Sequence, residues 1–303
     1  MAGSWWLVDR PTTNDYNHHL LLHLLALAGV LLISFSAVFV RLAAVSPVTV
    51  TFFRAAYAIP PLAILWLSQR ADDRRGRRDR LVAFVSGLVL AADLNVWHES
   101  IGLVGAGLGT VIPNVQVVFV AIAAWLFHRE RPSIRRFGTI VLVVAGVVLA
   151  SGLARDDAYG SNPAAGVALG VVAGLCYAAY ILVFRAATQS PAPPSGPLLD
   201  ATIGILAGAL VCIPLDAHFS WTPSLVAHAW LALLALVSQV LGWLLIARAM
   251  PRLPAIETSI LLLGQPVFAV LWGRMLFAER LSLVQWTGCA LVLIGVGTVK
   301  TET

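Results

Sequence analysis

Residues 92–100, ADLNVWHES, place an unusual density of polar side chains inside an apolar segment. Asn95, His98 and Glu99 share one face of a helix, because residues three and four positions apart lie above one another. Asn95 and His98 are candidate substrate ligands, and His98 also suits a proton relay because imidazole titrates near neutrality. Glu99 is a candidate acid for a proton-coupled step. The structural alternatives are a hydrogen-bonding histidine within the bundle and a glutamate that reaches water at the end of its helix.

Three charged residues and one tryptophan extend this set of candidates. Asp93 is a second possible coupling acid, and Trp97 can form a pocket wall or lie in the interfacial aromatic belt. Arg54 can meet a carboxylate substrate or a counter-ion such as Glu99, although a long arginine side chain can equally reach the membrane surface. Glu257 lies about one turn into its helix, where it can gate a pathway or complement the helix dipole.

Three amide side chains, Asn114, Gln116 and Gln265, occupy other apolar segments. Each amide both donates and accepts hydrogen bonds, which suits both ends of a zwitterion or a sugar. Asn114 and Gln116 point about 200° away from each other on a helix, so they cannot line one narrow stripe together. We expect Gln116 in the cavity, because Gln265 is its counterpart in the second half. The alternative is interhelical hydrogen bonding worth about 0.6–2 kcal/mol.

Aromatic side chains supply the remaining pocket candidates. Trp243 is expected to face the pocket opposite Trp97. Tyr180 can line the pocket with its ring and hydroxyl, as can Tyr57 and Tyr177, although ordinary packing is the simpler role for all three tyrosines.

The composition places these residues in a membrane. Hydrophobic residues make up 59% of the 303 residues and charged residues only 12%, against about 25% in soluble proteins. Mean hydropathy is +0.86. The net charge of +5 does not indicate nucleic-acid binding, because the arginines cluster between hydrophobic runs, where topology signals lie.

The elements that position the candidates are membrane-spanning helices. A bilayer core about 30 Å thick requires about 20 apolar residues per helix. The sequence therefore predicts an all-α membrane protein with a polar tail at 1–19 and ten transmembrane helices at 20–43, 47–68, 81–103, 107–127, 136–154, 164–187, 198–215, 226–249, 255–277 and 282–300.

Arginines orient these spans. Residues 70–80 hold six arginines and residues 128–136 hold four. Ten spans put both segments on one face together with both termini, and basic loops stay in the cytoplasm. We therefore expect cytoplasmic termini and a multi-pass location in the cell (plasma) membrane, of the bacterial cytoplasmic type.

The two halves of the chain repeat each other. When 115–134 (VQVVFVAIAAWLFHRERPSI) is aligned with 264–283 (GQPVFAVLWGRMLFAERLSL), Gln116 pairs with Gln265, Phe119 with Phe268 and Glu130 with Glu279. This predicts two repeats, 20–154 and 164–300. Each half has five spans, and an odd number forces opposite insertion. Inverted repeats are typical of secondary transporters, which bind substrate where the halves meet.

These motifs resemble the EamA family of the drug/metabolite transporter superfamily. The most specific marks are QVVFVAIAAWLFHRERPS and QPVFAVLWGRMLFAERLS, supported by FFRAAYAIPPLAILW in the second span. The resemblance covers nearly the whole chain and implies a ten-helix exporter or exchanger of small metabolites, amino acids among them. It also marks Glu130 and Glu279 as recurring helix-end residues, for which we expect structural bonds. One departure is Val117, which stands where the second half has Pro266.

We therefore predict a secondary transporter of small polar or amphipathic metabolites that works by alternating access, without a cofactor or metal. Its expected partners are a small-molecule substrate and membrane lipids but not nucleic acid, and it is expected to be a monomer or homodimer. One alternative is a lipid-moiety or nucleotide-sugar carrier of the same fold. Another is a membrane-embedded enzyme or structural protein, although GAGLGT (105–110) does not follow a strand as a nucleotide-binding loop would.

Overall fold

The computed structural model describes residues 13–105, 109–110, 112–128, 134–151, 161–278 and 282–297. Regular secondary structure in these residues is entirely helical. The α-helices are α1 (Thr13–Ser34), α2 (Ser36–Ala43), α3 (Pro47–Gln69), α4 (Arg77–Val104), α5 (Gln116–His128), α6 (Ile134–Ser151), α7 (Pro163–Ala187), α8 (Ser195–Cys212), α9 (Leu225–Leu233), α10 (Trp243–Ala249), α11 (Ala255–Leu262), α12 (Gly264–Phe277) and α13 (Leu283–Gly297).

Tighter and wider turns join several of these helices. The described part of the chain has four short 3₁₀ stretches, at Arg70–Asp72, Ile112–Val115, Ile213–Leu215 and Met250–Arg252. A π-helix, Leu234–Gly242, continues α9 into α10 without a break. Such wide turns are rare and are frequently found at functional sites.

Six helical stretches in the described residues are long and apolar enough to cross a membrane. Their outward surfaces carry exposed large apolar side chains such as Ile64 and Leu210, as a lipid surround requires. Shorter apolar helices occur at Ile112–Ala123, Phe137–Gly146 and Leu283–Val292. The six long stretches are Leu20–Ala43, Pro47–Asp72, Arg77–Val104, Pro163–Ala187, Ser195–Leu215 and Leu225–Arg252.

Capping residues explain where three of the helices begin. Ser46 and Asn162 each precede a proline that starts a helix, and their side chains accept hydrogen bonds from Thr49 N (3.4 Å) and Ala165 N (3.2 Å). Ser224 caps α9 in the same way. Proline suits the first helical position, because its missing N–H has no partner there in any case.

Three of the predicted spans are interrupted helices rather than continuous ones. The first divides at Phe35, between α1 and α2. The fourth starts as a 3₁₀ stretch that contains Pro113, which cannot donate the next helical hydrogen bond. The ninth divides at Leu263, just before α12. Gln116 and Gln265 therefore both lie in the first turn of a helix that follows a break.

Helix α4 packs along α7 and α8 near the centre of the bundle. At the crossing with α8, Gly87 and Gly204 let the backbones touch. A Cβ at Gly87 would lie 1.8 Å from the carbonyl oxygen of Ala201, and one at Gly204 would lie 2.0 Å from that of Phe84. Small residues of this kind allow close helix packing in membranes.

The other helices pair around this centre. Helix α1 lies against the π-helix and α10, α3 lies against α8, α5 against α11, and α6 against α13. The large cluster of buried apolar side chains includes Val30, Leu90, Phe184 and Trp243. The free cysteines Cys176, Cys212 and Cys289 lie on three different helices.

One end of the bundle carries residues 70–80 and is called here the arginine-rich end. Arg75 is buried there and ties the α3–α4 connection to α8: its Nε donates to Asp73 Oδ1 (2.9 Å) and its Nη1 donates to Asp200 Oδ2 (2.8 Å). The hydroxyl of Ser195 also donates to Gln69 Oε1 at 2.8 Å. The ion pairs hold the ends of α3, α4 and α8 together.

Candidate functional site

A small cavity, called here the central cavity, lies where α2, α3, α4, α7, α10 and α12 meet. Its volume is about 50 Å³, which is room for a few water molecules. Charged, amide and aromatic side chains surround it together with apolar ones. The lining residues are Ile33, Ser36, Arg54, Leu90, Asp93, Leu94, Trp97, Thr110, Pro113, Asn114, Tyr177, Trp243 and Gln265.

Arg54 is the buried cation of the cavity, with only 2% of its surface exposed. Its Nε donates to Gln239 Oε1 at 2.8 Å, and Gln239 Nε2 donates in turn to Thr202 Oγ1 at 3.3 Å. Gln239 belongs to the π-helix, so this irregular turn supplies the group that orients the guanidinium. The Nη1 atom of Arg54 is buried without a hydrogen-bond partner, which leaves one strong donor for a ligand.

Asp93 provides a carboxyl group in the same cavity. It is 6% exposed and lies on α4. Arg54 and Asp93 line the same cavity, yet among the described residues neither forms an ion pair. An arginine and an aspartate that share a cavity without bonding each other can each bind a group of a third molecule.

Aromatic rings close much of the remaining wall. Trp97 Nε1 donates to the carbonyl oxygen of Gly109 at 3.0 Å, which fixes the indole. Tyr177 meets Trp243 edge to face, with ring centroids 6.4 Å apart. The Tyr177 hydroxyl is buried without a partner, so it offers another hydrogen-bonding group at the cavity.

The three predicted amides take different places. Asn114 lines the cavity, and its Nδ2 donates to the carbonyl oxygen of Thr110 at 2.6 Å. Gln265 also lines the cavity. Gln116 is fully buried and is not among the lining residues; its Nε2 donates to the carbonyl oxygen of Ser259 at 3.3 Å.

This arrangement differs from the expected cavity pair of Gln116 and Gln265. The break at Pro113 starts α5 at Gln116, which turns that side chain toward α11 and leaves Asn114 on the cavity side. The two amides therefore have different surroundings, and Asn114 rather than Gln116 lies at the cavity.

Asn95 and His98 form contacts between α4 and α3 instead of lining the cavity. Thr51 Oγ1 donates to Asn95 Oδ1 at 2.8 Å, and His98 Nδ1 lies 3.4 Å from the carbonyl oxygen of Pro47. Glu99 is exposed, and Arg54 bonds Gln239 rather than Glu99. Asn95 and His98 therefore share a face that meets a neighbouring helix, whereas Glu99 does not take part in this contact.

Tyr180 lies one turn beyond the cavity, inside a cluster of rings. Its centroid is 4.9 Å from that of Trp243 and 5.4 Å from that of Phe184. It is fully buried and does not line the cavity. Glu257 lies on α11, and the structure does not describe its side chain. Glu130 and Glu279 lie outside the described residues.

The sequence alone left three contributors to the site undecided or unrecognised. Tyr177 could line the pocket or simply pack, and Ser36 was not a site candidate, yet both line the cavity with hydroxyl groups that lack a partner. Gln239 was not linked to Arg54, because 185 residues separate them. A polar residue within a long apolar run was the available signal, but which helix it faces is a tertiary property.

The sequence matches the EamA-like transporter family twice, over residues 20–152 and over residues 164–300. The chain belongs to the EamA-like transporter family. It is thus a multi-pass membrane transporter and not an enzyme.

Several relatives of this EamA-like protein are also named as transporters. The threonine/homoserine exporter RhtA of Salmonella typhimurium is 27% identical over 235 residues, which is 75% of this chain and 74% of the relative. The uncharacterized transporter YwfM of Bacillus subtilis is 24% identical over 71% of each chain. An uncharacterized transporter of Archaeoglobus fulgidus is 24% identical over 87% of this chain and 92% of its own length.

The fold of the EamA-like chain also occurs in a solved crystal structure. That structure covers 92% of this chain and 96% of its own length, with a TM-score of 0.71 and 16% sequence identity. The likeness establishes a shared fold.

Proposed function

We propose that this EamA-like protein exports or exchanges small polar or amphipathic metabolites, amino acids or related compounds, by alternating access. The observation that carries the proposal is the presence of a guanidinium and a carboxyl group, those of Arg54 and Asp93, in one central cavity. An amino acid carries a carboxylate for the guanidinium and an ammonium for the Asp93 carboxylate. Trp97, Tyr177 and Trp243 also line the cavity, and aromatic rings can attract the same ammonium group.

The name of one relative supports both the substrate class and the direction. RhtA of Salmonella typhimurium is named as an exporter of threonine and homoserine, which are small amino acids with a hydroxyl group. The hydroxyl of Tyr177 and the amides of Asn114 and Gln265 line the cavity and suit such a side chain.

The proposed architecture is ten spans in two inverted five-helix repeats, 20–154 and 164–300. The double match to the family supports it, as does the pattern of helix contacts. When each helix is replaced by its counterpart in the other repeat, the contact of α1 with α10 becomes the contact of α7 with α4. It also maps the pairs α3–α8, α5–α11 and α6–α13 onto themselves, as a two-fold relation between repeats requires.

The proposed orientation places the arginine-rich end in the cytoplasm, because basic loops stay on that side. The protein would then lie in a bacterial cytoplasmic membrane with both termini inside. The central cavity has a volume of about 50 Å³, so an amino acid requires it to widen. Rocking of one half against the other, which exposes the site to each side in turn, provides that change.

Exchange in proteoliposomes tests this function. Vesicles loaded with unlabelled L-threonine should take up labelled L-threonine through the wild-type protein. Asp93→Asn removes the partner of the ammonium group, so the preference for L-threonine over 3-hydroxybutyrate, which lacks the amino group, should fall about 10-fold or more. Asp216→Asn, outside the cavity, is the matched control. Arg54→Gln should abolish exchange, and Arg54→Lys should restore part of it.

The same vesicles separate the alternatives. A nucleotide sugar or a lipid headgroup that exchanges while every amino acid fails would favour the carrier alternative. Wild-type rates and KM values for threonine in both Asp93→Asn and Arg54→Gln would overturn the proposed site.

A further inference from the structure

A second pocket lies at the arginine-rich end of the bundle. Its volume is about 330 Å³, larger than the central cavity and large enough for a small organic solute. Asp72, Thr188, Ala192, Arg248 and Arg252 are among its lining residues. This pocket, called here the entry pocket, shares no lining residue with the central cavity.

The entry pocket repeats the charge pattern of the central cavity. Arg248 and Arg252 stand on one wall, and no carboxylate pairs with either of them in the described part of the chain. Arg252 Nη1 instead donates to the carbonyl oxygen of Arg248 at 2.9 Å. Asp72 contributes a carboxylate to the same pocket. Both ends of a zwitterion therefore find an opposite charge there.

Helix α7 joins the two chambers by a single stripe of side chains. Tyr177 lines the central cavity, Tyr180 and Phe184 follow it, and Thr188 lines the entry pocket. These positions are three and four residues apart, so they share one helix face. Tyr177 and Thr188 are eleven positions apart, which corresponds to about 16 Å along the helix.

The segment that follows the π-helix provides the opposite side of the same path. Trp243 lines the central cavity, and Ala247 and Pro251, at intervals of four residues, line the entry pocket. Two helices that face both chambers with continuous stripes indicate one path rather than two unrelated hollows.

Three rings close this path. Trp243 lies edge to face against Tyr180 at 4.9 Å and against Phe184 at 6.0 Å, while Tyr180 and Phe184 are stacked at 5.4 Å. All three side chains are almost completely buried. The hydroxyl of Tyr180 has no hydrogen-bond partner, so a buried polar group stands unsatisfied on the path itself.

We propose that the entry pocket is a second binding compartment for zwitterionic solutes, which Arg248, Arg252 and Asp72 hold before the Tyr180–Phe184–Trp243 rings part. This inference rests on the proposed transport function and adds a site at which solute is collected on the arginine-rich side. The solute reaches Arg54 and Asp93 only after the rings separate.

Charged thiol reagents measure the field of the entry pocket independently of transport. Ala192→Cys is introduced into a chain whose three native cysteines are replaced by alanine, and it is labelled with anionic and cationic methanethiosulfonates. Clustered charges raise the local concentration of a counter-ion 10-fold or more. Arg248→Gln with Arg252→Gln should therefore lower the anionic-to-cationic rate ratio about 10-fold. Arg77→Gln with Arg78→Gln removes the same charge from an exposed segment outside the pocket and should change the ratio less than 2-fold.

Two further measurements complete the test: protection of Ala192→Cys from labelling by solute, and the kinetics of threonine transport. L-threonine should slow the labelling of Ala192→Cys, and the double variant at Arg248 and Arg252 should lose this protection. The same double variant should raise the KM from the arginine-rich side, with kcat and the KM from the opposite side unchanged. An unchanged reagent ratio, or equal effects of the pocket and control variants, overturns the entry pocket. Intact protection without any exchange of threonine would preserve the pocket and overturn the proposed function.

Discussion

At the residue scale, the site is defined by buried polar groups that the protein leaves partly unsatisfied. A charged side chain within the membrane is costly and is usually found facing a bundle interior or a cavity. Arg54 is held by one side-chain hydrogen bond, from its Nε to Gln239, and keeps Nη1 open at the cavity. Tyr177 keeps an open hydroxyl in the same place. Groups that pay this desolvation cost without an internal partner are the natural ligands of a polar solute.

The two glutamines provide a prediction at this scale. Gln265 lines the cavity, whereas Gln116 bonds the backbone of α11. Gln265→Leu should therefore raise the KM for threonine severalfold and leave the melting temperature almost unchanged. Gln116→Leu should lower the free energy of unfolding by about 1–3 kcal/mol, because a buried hydrogen bond is lost, and leave the KM unchanged. Exchange kinetics and thermal melts in detergent of both variants check this, and the reverse assignment of effects would contradict the geometry.

At the element scale, the crossing of α4 and α8 sets the distance between these two helices and so positions α4, which carries Asp93. Gly87 and Gly204 each let a carbonyl group of the partner helix approach so closely that a Cβ atom at the glycine would clash with it. The π-helix acts at the same scale, because its wide turn presents Gln239 to Arg54. Neither feature contacts the solute space, yet both decide where the charged groups stand.

The glycine crossing can be tested with two alanines on one helix. Gly87→Ala forces the backbones apart and should cost about 3 kcal/mol or more. Gly102→Ala, on the same helix with nothing within 4 Å of the added Cβ, should be neutral or stabilising by up to about 1 kcal/mol. Thermal unfolding monitored by fluorescence in detergent distinguishes them, and equal melting temperatures would rule out tight packing at Gly87.

The ion pairs at the arginine-rich end give a second test of an element contact. Arg75→Gln leaves Asp73 and Asp200 without their buried partner and should destabilise the fold by about 3–5 kcal/mol. Arg80→Gln removes a half-exposed arginine 3.7 Å from Asp73 and should cost less than about 1 kcal/mol. Similar losses for both variants would show that burial of the pair does not matter.

The pH dependence of this contact follows from the Asp73 carboxylate. Burial by itself raises the pKa of Asp73, but hydrogen bonds from Arg75 and Trp66 outweigh burial and lower the pKa from 3.8 to about 2. A folded-state pKa below the unfolded value stabilises the fold above that unfolded value. The contribution is therefore complete at pH 5 and above and is lost as the pH falls from about 4 toward 2. Melts of wild type and Asp73→Asn should converge in that window.

At the scale of the whole molecule, the proposed inverted repeats explain why chemically different residues meet in one cavity. The helices that line it come from both halves of the chain, since Arg54, Asp93 and Asn114 belong to the first half and Tyr177, Trp243 and Gln265 to the second. A site at the junction of two halves can be exposed to either side when one half rocks against the other.

The proposed topology predicts on which side of the membrane each loop lies. Alkaline phosphatase is active only outside the cytoplasm, so a fusion after His218 should be active and one after Gln189 inactive. A fluorescent protein fused to Thr303 should fluoresce, because ten spans return the chain to the cytoplasm. The opposite pattern at the two fusion points would reverse the proposed orientation, and activity at both would contradict the span between them.

The sequence by itself determined the membrane class, the all-helical character, the transporter family and most of the polar candidates. Those properties depend on composition, on the length of apolar runs and on short motifs, all of which are local along the chain. Arg54, Asp93, Trp97 and Trp243 were selected because polar and aromatic residues in such runs are conspicuous.

Only the tertiary structure decided which candidates share a cavity. The break at Pro113 assigned Asn114 to the cavity and Gln116 to α11, and the π-helix brought Gln239 to Arg54. Asn95 and His98 had the right spacing, but the face they share meets α3. Helix periodicity gives the relative direction of two side chains, whereas the identity of the facing helix depends on crossing positions and kinks that are set by contacts distant in sequence.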